Sequence, residues 1–195
     1  MKVNNLNELF VHELKDLYDA EQQLVDALPK FAESATNPDL SEAFRNHLVE
    51  TREHVTRLEQ VFRECGEEPD RVTCKGMKGL LDEGDRIRKL DTEDTAVLDA
   101  ALISAAHRAE HYEIAAYGTL KVWATTAGVE DAVSLLERTL EEEKLANATL
   151  TEIAEARVNA EAESGEKEAR VTPSPRRSTA RPRISKPARS SRTRR

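Results

Sequence analysis

Apolar side chains recur every three or four residues through four long stretches of this chain, the spacing of a helix that buries one face and wets the other. In the first stretch, about 4–34, Leu6, Phe10, Leu14, Leu17, Leu24, Leu28 and Phe31 share one stripe. Asn5, with Glu8 three residues on, supplies a helix start. The segment SATNPD at 34–39 breaks the pattern at an Asn-Pro step, and Asp39 or Ser41 can cap the second helix. The second stripe, about 40–65, is marked by Leu40, Phe44, Leu58, Val61 and Phe62 and closed by Gly66. The third, about 95–127, opens at Asp94 or Thr95 and ends at Gly128; the fourth, about 129–160, turns Val133, Leu136, Leu140, Leu150 and Ala154 inward. Between the second and third runs a connection from Gly66 to Asp94 that carries a short helix, roughly Lys75 to Leu90. That is too long for a tight hairpin, so it crosses the bundle.

The pattern predicts an all-α, four-helix bundle made of two hairpins, 4–65 and 95–160, joined by a crossover with a short extra helix. Composition agrees, because 7 Gly and 7 Pro in 195 residues leave long tracts of Ala, Leu, Glu, Lys and Arg, all strong helix formers. No apolar run approaches the roughly 18 residues a membrane span requires, and MKVNNLNELF lacks the apolar stretch of a secretion signal. The expectation is a cytoplasmic protein without a membrane partner. Cys65 and Cys74 flank GEEPDRVT and could bridge, yet in a reducing compartment they read as ordinary thiols.

Charge divides the chain in two. Of its 29 basic residues, nine lie in 171–195 with no acid among them, which leaves 20 basic against 37 acidic groups in 1–170, a balance of −17. From about 161 the sequence is rich in Pro, Ser and Arg and nearly free of apolar residues. Such a segment cannot bury enough surface to offset the entropy of ordering. The expected domains are thus a bundle at 1–160 and a disordered basic tail at 161–195.

Several polar residues interrupt the apolar stripes from within. In HRAEHYEIAAY at 107–117, Glu110 and Glu113 share a face with Ile103, Ala106, Ile114 and Tyr117. Glu21 lies beside the first stripe. On the second helix His47, Thr51 and His54 lie in the stripe and Glu50 at its edge, whereas Glu53 points away, so the inward pair there is Glu50 with His54. Of the EEE run at 141–143, Glu143 falls at the centre of the inner face while Glu141 and Glu142 face outward. Carboxylates are almost never buried without a partner, because removing an ionised one from water costs several kcal/mol.

Counting along each hairpin brings these groups together. Glu21 lies 16 residues before Asn37, with Glu50 and His54 13 and 17 after it; Glu113 and Glu110 lie 15 and 18 before Gly128, with Glu143 and Asn147 15 and 19 after it. At about 1.5 Å of rise per residue, the offsets within each cluster amount to roughly one turn. Carboxylates with an imidazole converging inside a bundle repel one another unless cations neutralise them. Oxygen-rich coordination with one or two nitrogens suits iron or manganese, and four inward Glu balance two divalent ions.

Four blocks, DLYDAEQQL at 16–24, HLVETREHVTRLEQVF at 47–62, AEHYEIAAYGTL at 109–120 and LEEEKLAN at 140–147, resemble in order those of the YciF-like branch of the ferritin-like superfamily. The resemblance covers residues 5–155. It implies a ferritin-like bundle with an extra crossover helix, a homodimer, a di-iron centre and a link to bacterial stress responses. Carried over, a ferritin-like site asks for Glu on the first helix, Glu plus His on the second, Glu on the third, and Glu plus His on the fourth. Glu21, Glu50, His54, Glu110 or Glu113, and Glu143 match those positions. Two departures stand out: Glu50 and His54 are four apart rather than three, and Ala146 occupies the place of the second His, with Asn147 the nearest polar group.

The sequence therefore points to a dinuclear metal site of Glu21, Glu50, His54, Glu110, Glu113 and Glu143, holding two Fe per chain or, as a variant, Mn, and oxidising ferrous iron with oxygen or peroxide. The plainer reading of these carboxylates is burial against Arg, Lys or Tyr, or at a subunit interface. His47 reads as a hydrogen-bonded core histidine, His107 and His111 as flank residues. A competing function is a noncatalytic dimeric scaffold whose tail, 171–195, binds nucleic acid nonspecifically through its cations. No aromatic residue interleaves those cations, so base stacking is not expected.

Overall fold

Each long helix starts or stops where a side chain or a glycine can resolve its free backbone groups. A computed structural model describes residues 2–165, and all regular structure among them is helical. Helix α1 spans Leu6–Ser34, α2 Pro38–Glu64, α3 Lys75–Ile87, α4 Thr95–Ala127 and α5 Glu130–Ile153; a π-helical turn, Ala154–Val158, joins α5 to α6, Asn159–Ser164. Helical structure thus runs past residue 160. Most of the expected tail, from 166 onward, lies outside the described residues, as does the nucleic-acid segment 171–195.

Asn5 Oδ1 accepts from the Glu8 amide at 2.9 Å, and the Glu8 carboxylate returns to the Asn4 amide at 2.8 Å, so the two ends of the first turn satisfy each other. Helix α2 begins two residues earlier than its apolar stripe implies. Its cap is Asn37, which accepts from Asp39 and Leu40 at 2.9 and 3.1 Å, and Pro38 takes the first helical position, where a missing N–H costs nothing. Asp94 caps α4 as expected, and Gly128 ends it with φ at 73°, a left-handed conformation that glycine adopts without strain.

The relative direction of the hairpins follows from Asp99, one turn into α4 and almost fully buried. Its carboxylate accepts from the Thr36 amide at 2.8 Å, the Thr36 hydroxyl at 2.6 Å and the Asn37 amide at 2.8 Å. The end of α1 therefore meets the start of α4, and the two run antiparallel. Around the bundle α1 packs on α2, α2 on α5, α5 on α4 and α4 on α1, each neighbour antiparallel to the next. The two hairpin turns consequently lie at opposite ends.

The crossover makes this possible by climbing alongside α1. Val72 N donates to Lys15 O at 3.3 Å, Cys74 N to Asp19 Oδ2 at 2.8 Å, and Arg88 Nε to Lys30 O at 3.2 Å. Helix α3 sits close against α1 and α4 because two of its positions carry no side chain. A Cβ at Gly84 would strike the Phe31 ring, and one at Gly76 would come within 2.8 Å of Tyr112 Cε2.

The first stripe is buried from Phe10 to Phe31, with Leu6 alone half out at 38% exposure; the second is buried throughout. Tyr18 meets Phe62 edge-to-face at 5.6 Å between centroids, and Phe31 meets Phe44 in the same way at 5.7 Å. Each fully buried side chain of this size stabilises the fold by roughly 1.5–3 kcal/mol. Cys65 and Cys74 are free thiols. No helix among the described residues is long and apolar enough to cross a membrane.

Candidate metal centre

Between the layers of apolar core lies a belt of buried polar groups drawn from all four long helices. Glu21 comes from α1, His47 and His54 from α2, Glu110 and Glu113 from α4, and Glu143 from α5; Glu21, His54, Glu113 and Glu143 have no exposed surface, and the other two almost none. Helical spacing explains the pairs. Glu110 and Glu113, three apart, are surface neighbours on their helix, and His47 and His54, seven apart, share a face at about 10 Å along the axis.

His54 Nδ1 stands 2.9 Å from Glu143 Oε1 and 3.5 Å from Glu21 Oε1. His47 Nε2 stands 3.4 Å from Glu110 Oε1 and 3.7 Å from Glu143 Oε2. Two groups result. In the first, His47, Glu110, Glu113 and Glu143 each offer a ligand atom within 4.8 Å of the others; in the second, Glu21, His54 and Glu143 do so. Glu143 belongs to both. Tyr117, fully buried one turn beyond Glu113, donates its hydroxyl to Glu21 Oε1.

Nine buried side-chain N and O atoms among the described residues lack a hydrogen-bond partner, and all nine sit on these six residues; both oxygens of Glu113 and of Glu143 are among them. A buried polar atom left unpaired costs about 1–3 kcal/mol. Among the described residues the unmet demand is thus concentrated at one place, eased in part by the pairing of His54 with Glu143. The donor set, four carboxylates and two imidazoles, suits two divalent cations in charge and in ligand hardness.

Electrostatics without a cation are strongly perturbed. Burial, then the charges of Glu143, Glu21 and Glu110, raise the Glu113 carboxyl well above its usual range. Burial likewise pushes Glu110 up to about 8, and raises Glu21. For the histidines burial works the other way but is outweighed. Glu110, Glu50 and Glu143 bring His47 up to about 9, and contacts with Glu143 and Glu21 bring His54 up to about 10. Glu143 alone of the four carboxyls is lowered, burial being overcome by His54 and His47.

A second layer holds His54 from behind. Its Nε2 lies 3.0 Å from Glu142 Oε2, and Glu142 is fixed in turn by Arg57 Nη2 at 3.1 Å and Arg138 Nε at 3.1 Å. Arg57, itself buried, also donates to Thr139 Oγ1 at 2.8 Å. A carboxylate behind a histidine fixes which ring nitrogen carries the proton, the arrangement typical of metal-binding imidazoles.

Five of the six residues expected from the sequence meet here: Glu21, His54, Glu110, Glu113 and Glu143. Glu50 does not join either group. Its side chain is 46% exposed, with Oε2 3.7 Å from His47 Nδ1, because the edge of the α2 stripe on which it lies faces out between α2 and α5. His47 points inward in its place, and neither of its ring nitrogens has the hydrogen bond expected of a core histidine. Its signal was its place in the α2 stripe, two turns before His54. Glu142, expected to face outward, is half-buried. Asn147 is engaged elsewhere, its Oδ1 2.7 Å from His107 Nδ1.

Fold and site together define a class: an all-helical bundle with a buried carboxylate–histidine cluster able to hold metal. Residues 5–163 match a family described as a domain of unknown function, DUF892, and this chain belongs to that YciF-like family. It is 43% identical to Protein YciF of Escherichia coli K12 over 165 residues, 84% of this chain and 99% of YciF. The crystal structure of that E. coli stress protein superposes with a TM-score of 0.77 at 42% identity, over 80% of this chain and 99% of YciF. YcfI of Rhodopseudomonas palustris superposes with a TM-score of 0.74 at 44% identity, over 77% of this chain and 95% of its own.

Proposed function

We propose that this protein is a ferritin-like, dinuclear-metal stress protein that oxidises ferrous iron with oxygen or peroxide. The observation that carries the reading is that the nine buried polar atoms without a hydrogen bond among the described residues all sit on six side chains, which form two groups able to hold a metal. Glu21 and His54 would hold one ion, His47, Glu110 and Glu113 the other, and Glu143 would offer an oxygen to each. Iron is the metal we favour, with manganese as the variant the donor set also accepts. When bound, such a pair supplies electron transfer between ferrous substrate and oxidant.

The chain's own residues do the rest. Four carboxylates offset the charge of two divalent cations, Tyr117 fixes the rotamer of Glu21, and Glu142 with Arg57 orients His54 so that Nδ1 faces the centre. The surrounding apolar layers limit water, which strengthens every charge interaction inside.

The test is metal content by elemental analysis on protein purified without chelators, beside Glu143→Ala, followed by ferrous oxidation assays. About two iron or manganese per chain, falling with the substitution, supports the centre. Folded protein that cannot be loaded with ferrous iron sinks it.

A second reading, a noncatalytic cytoplasmic homodimer that touches nucleic acid through 171–195, is favoured by the nine cations there. It predicts salt-sensitive DNA binding that disappears when residues 164–195 are deleted.

A further inference from the structure

A cleft of about 190 Å³ opens between α2 and α5 and leads to the His47 end of the centre. Its walls include Ala43 and Phe44 from α2 and Ala146 from α5, its floor is formed by His47 and Glu110, and Glu50 stands at its rim. Ala146 matters by being small: at the position where the family resemblance asks for a second histidine, the short side chain leaves the cleft unfilled. The His47 ring stands between rim and interior. Nδ1 lies 3.7 Å from Glu50 Oε2, and Nε2 lies 3.4 Å from Glu110 Oε1. Both ring nitrogens and Glu110 Oε2 are buried without hydrogen-bond partners.

We propose that this cleft is the route by which a divalent cation reaches the centre, with Glu50 as the first carboxylate it meets and Ala146 as the residue that keeps the way open. The inference rests on the metal-centre reading above. It gives Glu50, which stands outside both ligand groups, a place in the same chemistry. A hydrated cation gives up its waters only where other donor atoms replace them. The order along the cleft, half-exposed Glu50, then His47, then buried Glu110, offers replacements one at a time. The net −17 of residues 1–170 raises the local cation concentration around the bundle.

A second cavity also touches His47 and Glu110, on the side covered by α3. It measures only about 20 Å³, and the side chains around it, Leu24, Leu28, Leu80 and Ala105 among them, are apolar. A charged, hydrated ion finds no replacement oxygen there before Glu110, so the α2–α5 cleft is the path the chemistry selects.

The experiment is stopped-flow loading of metal-free, full-length protein with cobalt(II), monitored by its visible absorption, with final stoichiometry from elemental analysis. Ala146→Leu and Ala43→Leu narrow the cleft from opposite walls and replace no residue of the two ligand groups. Each is expected to slow loading about tenfold or more while the endpoint stays at about two cobalt per chain. The preserved endpoint reports an intact fold. Glu50→Gln is expected to slow loading several-fold and to weaken its dependence on salt. Wild-type rates in both Ala146→Leu and Ala43→Leu, with full endpoints, would overturn the route and leave the centre standing. A wild-type chain that takes up no cobalt would overturn the centre and the route together.

Discussion

Glu142 Oε2 lies 3.0 Å from His54 Nε2, and the opposite nitrogen of the same ring faces Glu143 at 2.9 Å. Two carboxylates adjacent in sequence thus grip one imidazole from its two sides. They can do so because helix α5 crosses the ring at a point where one residue lies inside the bundle and the next lies at its margin.

Replacing Glu142 by Gln should therefore weaken metal binding without abolishing it. Loss of such an outer carboxylate typically costs about 10–100-fold in affinity. Competition titration with a coloured chelator would register that drop alongside an unchanged number of ions at saturation. A fall in the number of ions would mean Glu142 is itself a ligand.

His47→Ala and Glu50→Ala separate the residues that meet in the structure from the set the sequence suggests. The histidine variant should retain about one ion per chain, since it removes the nitrogen from only one of two groups. The glutamate variant should retain both. Elemental analysis after dialysis distinguishes them, and the reverse result would return Glu50 to the centre.

Metal-free protein should lose stability as pH rises from about 6.5 to 9. His47 and His54 hold protons in the folded state up to about 9 and 10, and Glu110 up to about 8, whereas the unfolded chain releases them near 6.5 and 4.5. The folded state then binds more protons than the unfolded one throughout this window, so unfolding gains on it as protons become scarce. The lowered Glu143 acts oppositely, but only below its unfolded value of 4.5. Metal requires these groups deprotonated, so the Tm increment that a bound cation confers should grow over the same range. Melting curves at three pH values with and without cobalt test both slopes; a flat profile for the metal-free chain would contradict the first.

Gly84→Ala should destabilise the fold by roughly 1–3 kcal/mol, the usual cost of forcing an extra methyl into a packed contact. The new Cβ would strike Phe31 and push α3 off α1. Urea unfolding would measure it, and Gly79→Ala, where nothing lies within reach of the added carbon, serves as the control.

The helices, both hairpins, the crossover and the inward facing of Glu21, His54, Glu110, Glu113 and Glu143 were legible in the sequence, because an apolar stripe fixes which way a helix faces. Depth along the axis was less legible. Counting from each hairpin turn treats the two turns as lying at one end, whereas Asp99 clamps the end of α1 to the start of α4 and sets them at opposite ends. His47, only 10 residues beyond Asn37, therefore reaches the height of Glu110, 18 residues before Gly128. Glu50, at a similar depth, stays outside the two groups because its edge of the α2 stripe faces out between α2 and α5. The α2 start at Pro38 was missed on local grounds, since an apolar stripe carries no information about where its cap lies.

Glu143 stands in both candidate ligand groups, and that sharing would make their occupancies thermodynamically dependent. The first divalent ion to bind would fix the Glu143 rotamer and offset two negative charges, so the second would meet a site already ordered but less negative. Whichever of these outweighs the other sets the sign of the coupling, and linkage requires each position to alter the other's affinity by the same factor. A stepwise titration would then yield two dissociation constants that belong to the pair, and to neither position separately.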